Sequence, residues 1–150
     1  MENESLPYEL AVKLKELGFD EPCLGFYNHQ GQLILMAQED ESSIEMYKNS
    51  YVEMGMQYAA PLFQQVFRWF REEHGIFSWL TRHRYNITTS LGNKEYYRWA
   101  LEYEVEKSEP HINSEIVYSD KEYDTYEEVE LACLTKLIEI AEGNGKEEML

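Results

Sequence analysis

Apolar positions recur at helical spacing near the start of the chain. Leu6, Leu10, Leu14 and Leu17 fall on one face, which predicts a helix from about Leu6 to Leu17. Ser5 is placed to cap it, Pro7 suits a first turn, and Gly18 supplies the left-handed residue after the last turn. Phe19 then takes the position where a Schellman ending folds an apolar residue back on Leu14. Two apolar runs follow, 23–27 and 33–36. Asn28, His29, Gln30 and Gly31 between them predict a hairpin. From Gln38 to about Met56 no period is visible, and the stretch reads as a loop with at most a helical turn.

A second helix is predicted over 60–74, started by Pro61 and ended by Gly75, with Phe63, Val66, Phe67 and Phe70 as its stripe and Leu62 and Trp69 beside it. The clearest strand signal comes next. Trp79, Thr81, His83, Tyr85 and Ile87 alternate with Leu80, Arg82, Arg84, Asn86 and Thr88. After Leu91–Lys94, Tyr97, Trp99, Leu101, Tyr103 and Val105 alternate with Tyr96, Arg98, Ala100, Glu102 and Glu104. Period two in both arms predicts a half-buried antiparallel hairpin. The simplest reading gives it one aromatic, covered face, and another carrying Arg82, Arg84 and Arg98 opposite Glu102 and Glu104. Ile116–Tyr118 is a short edge-strand candidate. Thr125 and Glu128 fit a capping box for a last helix, whose apolar face is Val129, Ala132, Cys133, Leu137, Ile140 and Ala141 and which Gly143 ends.

The fold expectation is therefore α+β: one antiparallel sheet of four or five strands with three helices packed mainly on one face, in the order α-β-β-α-β-β-(β)-α. A chain of 150 residues fits a single domain spanning 1–150, with frayed ends at about 1–4 and 144–150. Helix and hairpin recur twice, but the two stretches do not match in sequence, so no internal duplication is inferred.

Charge changes the functional picture more than the fold. The chain carries 13 basic and 29 acidic residues, net −16. Residues 102–130 hold eleven acids against Lys107 and Lys121, whereas 68–98 are net basic. Such a surface repels phosphate backbones and anionic membranes and favours a protein partner with a basic surface. Direct nucleic-acid and membrane partners are not expected, and the oligomeric state is left open. The acidic candidate surface comprises Glu102, Glu104, Glu106, Asp120, Glu122 and Asp124. The acidic, h-region-free start and the two separated cysteines, Cys23 and Cys133, read as a cytoplasmic protein with free buried thiols.

Catalytic patterns are sparse. No Gly-rich phosphate loop, nucleophile elbow or zinc-ligand spacing occurs, and no cofactor or metal is expected. The run Asp120–Asp124 begins like a calcium loop, but the expected glycine is missing and Leu131 stands where the last ligand would be. His83, placed by alternation among aromatics, marks a candidate pocket with Tyr85 and Trp99. The main functional expectation is a non-enzymatic protein-binding accessory protein. The alternatives are an acidic DNA-mimic inhibitor of a DNA-binding protein, and a small-ligand binder or enzyme using the pocket near His83.

The segments 60–72 (APLFQQVFRWFRE) and 125–139 (TYEEVELACLTKLIE), with the opening 6–11 and 18–23, resemble a group of small proteins from Bacteroidetes genomes and their phages or mobile elements. The likeness runs from the first helix to the last, with a longer polar stretch at about 107–124. It implies a bacterial or phage accessory protein of the cytoplasm. The group brings no assigned activity, so no site residue is carried over from it.

Overall fold

A computed structural model describes residues 4–35, 47–50, 56–86, 92–105 and 113–143. The elements are α1 (Tyr8–Glu16), β1 (Gly25–Asn28), β2 (Leu33–Leu35), β3 (Met56–Ala59), α2 (Phe63–His74), β4 (Phe77–Asn86), β5 (Asn93–Val105), β6 (Asn113–Tyr118) and α3 (Tyr126–Ala141). The class is α+β, with three helices among the described residues. The single sheet of four or five strands is not what forms: there are two three-stranded antiparallel sheets, ordered β2-β1-β3 and β4-β5-β6. β3, which begins where the stretch read as a loop ends, adds a third strand beside β1, and the two hairpins belong to separate sheets instead of sharing one. Two compact units result, 1–66 with 138–150, and 67–137.

In the first unit, α1 ends as its sequence dictates. Gly18 adopts φ +91, its amide donates to the Lys15 carbonyl at 3.1 Å, and the Phe19 amide donates to Leu14 at 3.0 Å. Those are the two bonds of a Schellman ending, and Phe19 is buried. The start of α1 differs from expectation. Its N-cap is Pro7, and no side chain caps it. Ser5 is instead buried and bridged to Leu62 in extended pairing, which commits its backbone elsewhere.

The β1–β2 hairpin turns through Asn28–Gly31. The Asn28 carboxamide oxygen accepts from the amides of Gln30 and Gln32, each at 2.9 Å, and Gly31 takes φ +72. β1 is the centre of this sheet. Its Tyr27 ring meets Tyr8 of α1 edge-on at 5.4 Å, and its hydroxyl donates to the Leu6 carbonyl at 2.6 Å. Ala11, Tyr27 and Ala60 form a buried cluster with Tyr8, Leu33 and Tyr58 against it.

Asn49 ties this unit together. It is buried, its amide donates to the Phe19 carbonyl at 2.8 Å, and its oxygen accepts from the Ala59 amide at 2.9 Å. It therefore satisfies one backbone group after α1 and another on β3.

In the second unit, β4, β5 and β6 form a meander. Gly75, at φ +63, closes α2, and the Ile76 amide reaches back to the Phe70 carbonyl at 3.2 Å. β4 begins two residues earlier than expected; Ile87, Thr88 and Leu91 lie outside the described residues. β6 is an edge strand, as expected. The first sheet has its first strand in the middle and the second sheet its second strand, so the two halves do not share a topology.

α3 starts on a complete capping box. The Glu128 amide donates to the Thr125 hydroxyl at 3.2 Å, and the Thr125 amide donates to the Glu128 carboxylate at 3.3 Å. Val129, Cys133, Leu134, Leu137, Ile138 and Ile140 are fully buried. Leu134 and Ile138 extend the expected face, while Ala132 and Ala141 are only half-buried. Thr125→Ala should lower stability by about 0.5–2 kcal/mol in a urea melt. Thr125→Asn, which retains a capping oxygen, should recover most of that loss.

Candidate functional site

The register of the second sheet decides where the candidate residues point. Trp79 pairs with Ala100, Leu80 with Trp99, Thr81 with Arg98 and His83 with Tyr96. On the far side of β5, Ala100 pairs with Tyr118 and Glu102 with Ile116. Paired residues share a face. One face therefore presents Phe77, Trp79, Thr81, His83 and Tyr85 of β4, then Lys94, Tyr96, Arg98, Ala100, Glu102 and Glu104 of β5, then Ser114, Ile116 and Tyr118 of β6. The other presents Trp99, Leu101 and Tyr103, all buried.

The expected single aromatic face is thus corrected. The aromatic residues of the two arms lie on opposite faces, and the β4 set is largely exposed: Phe77 is 51%, Trp79 36% and Tyr85 42% exposed. His83 and Tyr85 share the open face, whereas Trp99 projects from the opposite one. The register does not bring these three together.

The charged partners differ from expectation too. Arg82 and Arg84 lie on the Trp99 face and both engage Glu95, each with a contact of 2.7 Å, and the paired guanidinium groups hold the Glu95 carboxyl below its ordinary range. Arg98 lies on the open face. It pairs with Glu122 at 3.2 Å and sits over the Tyr96 ring, instead of facing Glu102 or Glu104.

His83 is exposed and stacks on Tyr96 at 4.9 Å, nearly parallel. Its Nε2 lies 3.0 Å from the Thr81 hydroxyl, which also donates to the Arg98 carbonyl at 3.2 Å. Its surroundings are a hydroxyl and tyrosine rings on an open strand. At the end of the same face a cleft of about 310 Å³ is lined by Gly75, Phe77, Glu102, Tyr103, Glu104 and Ser114. Its size is at the low end for a ligand pocket.

The acidic candidates fall in two places. Glu102 is half-buried and Glu104 exposed, both on the open sheet face. Asp120, Glu122 and Asp124 are exposed in the connection from β6 to α3. Glu106 lies outside the described residues. That connection is pinned to β5. Tyr97 and Tyr123 exchange both backbone hydrogen bonds, at 2.8 and 2.9 Å. The Ser119 amide donates to the Trp99 carbonyl at 2.9 Å, and the buried Ser119 hydroxyl accepts from the Trp99 amide at 3.3 Å and donates to the Lys121 carbonyl at 3.0 Å. The pinned stretch runs directly into the capping box, which also takes the Asp124 amide onto Glu128 at 3.3 Å. Sequence pattern gave no sign of this pinning: Ser119 and Tyr123 belong to no periodic run.

The two thiols are buried and free. Burial is the main cause pushing each up from 9.0 to about 12, with Glu21 adding to the effect at Cys23 and Glu130 at Cys133. Both therefore stay protonated near neutral pH and are poor nucleophiles. Because the folded value is raised, the stability linked to each thiol is complete below 9.0 and is lost as pH climbs towards about 12, at about 1.4 kcal/mol per pH unit. Cys133→Ala should flatten the alkaline limb of a stability-against-pH curve. In the native protein at pH 8 both thiols should react with a disulfide reagent far more slowly than in urea.

Among the described residues no group of three or more His, Cys, Asp or Glu side chains could hold a metal ion, and no helix is long and apolar enough to cross a membrane. No family model, curated protein or solved structure matches the chain.

Proposed function

We propose that this chain is a non-enzymatic protein-binding accessory protein whose acidic stretch, Asp120 to Glu127, receives a basic surface on its partner. The observation that supports this reading is the pinning of that stretch. Its exposed carboxylates are carried on a backbone fixed by the Tyr97–Tyr123 pair, the Ser119 hydrogen bonds and the capping box of α3. A solvated acidic tail needs no such fixing. A charged surface held in place before binding loses little entropy on docking and steers a partner of opposite sign. The resemblance to bacterial and phage proteins adds a setting, a cytoplasmic accessory role of prophage or mobile-element origin.

Neutralising Asp120, Asp124 and Glu127 together (Asp120→Asn, Asp124→Asn, Glu127→Gln) should leave the fold intact and abolish affinity capture of the partner from the native host. Glu122 and Glu128 are spared because they pair with Arg98 and cap α3. Duplex DNA should give no gel shift at physiological salt, since phosphate binding needs clustered cations. Capture that survives the triple substitution, or tight DNA binding, would remove this reading.

A further inference from the structure

The second sheet ends unevenly where the chain enters it. β4 starts at Phe77, which pairs with Glu102, so the β4 side has no strand residue opposite Glu104. On the other side Glu104 pairs with Ser114. The residue that leads into β4 is Gly75, where a Cβ would meet nothing within 4 Å. The short strand and the missing side chain together leave the cleft of about 310 Å³ at this end of the open face.

The cleft has walls of two kinds. One is the Phe77 ring, 51% exposed. The other is a pair of carboxylates, Glu102 and Glu104, on one face of β5, where same-face residues repeat about every 6.6–6.8 Å. Among the described residues neither carboxylate makes a hydrogen bond or an ion pair. The cations of this face do not neutralise them: Arg98 is engaged by Glu122, and Lys94 stands at the far end of β5. Glu102 is half-buried, and a half-buried carboxylate without a partner is under-solvated, so a bound cation restores what water no longer supplies. The ring adds attraction through its negative face. A hard metal ion asks for about six to eight oxygen ligands. Two carboxylates spaced along a strand beside an aromatic ring suit instead a cation carried on an apolar stem.

We infer that the cleft beside Gly75 is a binding site for a small aliphatic amine, whose stem lies on the Phe77 ring and whose ammonium groups meet Glu102 and Glu104. Two free carboxylates favour a compound with a cation at each end over one with a single charge. A free diamine brings both cations at once, whereas a lysine side chain of a protein brings one. Each ammonium has three donors to place, and the Ser114 hydroxyl on the lining offers a further acceptor. This site uses none of Asp120, Asp124 or Glu127, so it stands or falls apart from the partner reading above.

Titration with putrescine at about 0.15 M salt, followed by amide chemical shifts, tests it. Saturable shifts should centre on Gly75, Phe77 and Ser114. Glu102→Gln should weaken binding about tenfold, and Glu104→Gln and Phe77→Ala about threefold each, because those two side chains are exposed. Butylamine should bind at least about threefold more weakly than putrescine. In a chain of net −16 any amine collects near acidic groups, so Asp120→Asn/Asp124→Asn is the control and should leave the affinity within about twofold. Unchanged shifts away from the cleft confirm that each variant folds. Three results overturn the site: no saturable shift at Gly75 and Phe77, equal losses from the control and from Glu102→Gln, or the same shifts with calcium alone. A capped lysine that binds more tightly than putrescine would overturn the free amine and give the cleft to a protein side chain. Loss of partner capture in the Asp120, Asp124 and Glu127 variant, with putrescine binding intact, would separate the two readings.

Discussion

Trp99→Ala should cost about 3–5 kcal/mol, the range for truncating a buried aromatic. Trp99 is 7% exposed at the centre of the second sheet, on the face it shares with Leu101 and Tyr103. Trp79 lies one strand away and is 36% exposed on the opposite face, so Trp79→Ala should cost only about 1–2 kcal/mol. Arg98→Ala should cost under about 1 kcal/mol, since its pair with Glu122 is open to solvent. Urea melts of the three variants rank them. Equal losses from the two tryptophans would mean that β4 and β5 pair in a register shifted by one residue, with Trp79 and Trp99 on the same side.

The second large effect is expected at Asn49. Its side chain satisfies two backbone groups in sequence-distant places, the Phe19 carbonyl and the Ala59 amide, in a buried site. Asn49→Ala leaves both without that partner. At about 1–3 kcal/mol per buried group that loses this bond, the loss for the two should be about 2–6 kcal/mol. Asn49→Asp keeps an acceptor for the Ala59 amide and removes the donor to Phe19, so it should fall between wild type and alanine. Amide exchange at Ala59 separates the two bonds: it should accelerate strongly in Asn49→Ala and much less in Asn49→Asp. Unchanged stability in the alanine variant would show that β3 is held by its pairing with β1 alone.

These two residues also show what a sequence can convey and what it cannot. The end of α1 and the start of α3 are legible because their signals are local, whereas the start of α1 is not, since Ser5 is drawn into pairing with the distant Leu62. Gly18 and Phe19 close α1, and Thr125 with Glu128 opens α3, through bonds that span only a few residues. The two arms of the β4–β5 hairpin were legible for the same reason, since alternation is a property of each strand alone. Which face of one arm joins which face of the other is not local. It depends on the parity of the pairing, here Asn86 with Asn93, and a shift by one residue exchanges every partner. That is why alternation alone sets Trp79 and Trp99 on one face and groups His83, Tyr85 and Trp99 as one pocket. β3 was missed because Met56–Ala59 is a four-residue edge strand, too short to show a period, with an irregular register against β1 between Tyr27 and Asn28. Asn49 carries no pattern at all, because its role is set by two backbone groups that meet only after folding.

For the candidate surface, composition revealed the acidic character of 102–130 but not its division. Glu102 and Glu104 belong to a sheet face with its own cations, whereas Asp120, Glu122 and Asp124 belong to the pinned connection before α3. The second group is the one that the proposed function depends on.

The most direct measurement is the association rate of the captured partner as salt is raised, for the wild type and for the Asp120→Asn/Asp124→Asn/Glu127→Gln variant. If the pinned carboxylates receive a basic surface, the wild-type rate should fall about tenfold or more as the Debye length shrinks from about 30 Å at 0.01 M salt to about 8 Å at 0.15 M, and the variant should be slow at both. A wild-type rate indifferent to salt, matched by the variant, would contradict the proposal and return the acidic stretch to the role of a solvated surface.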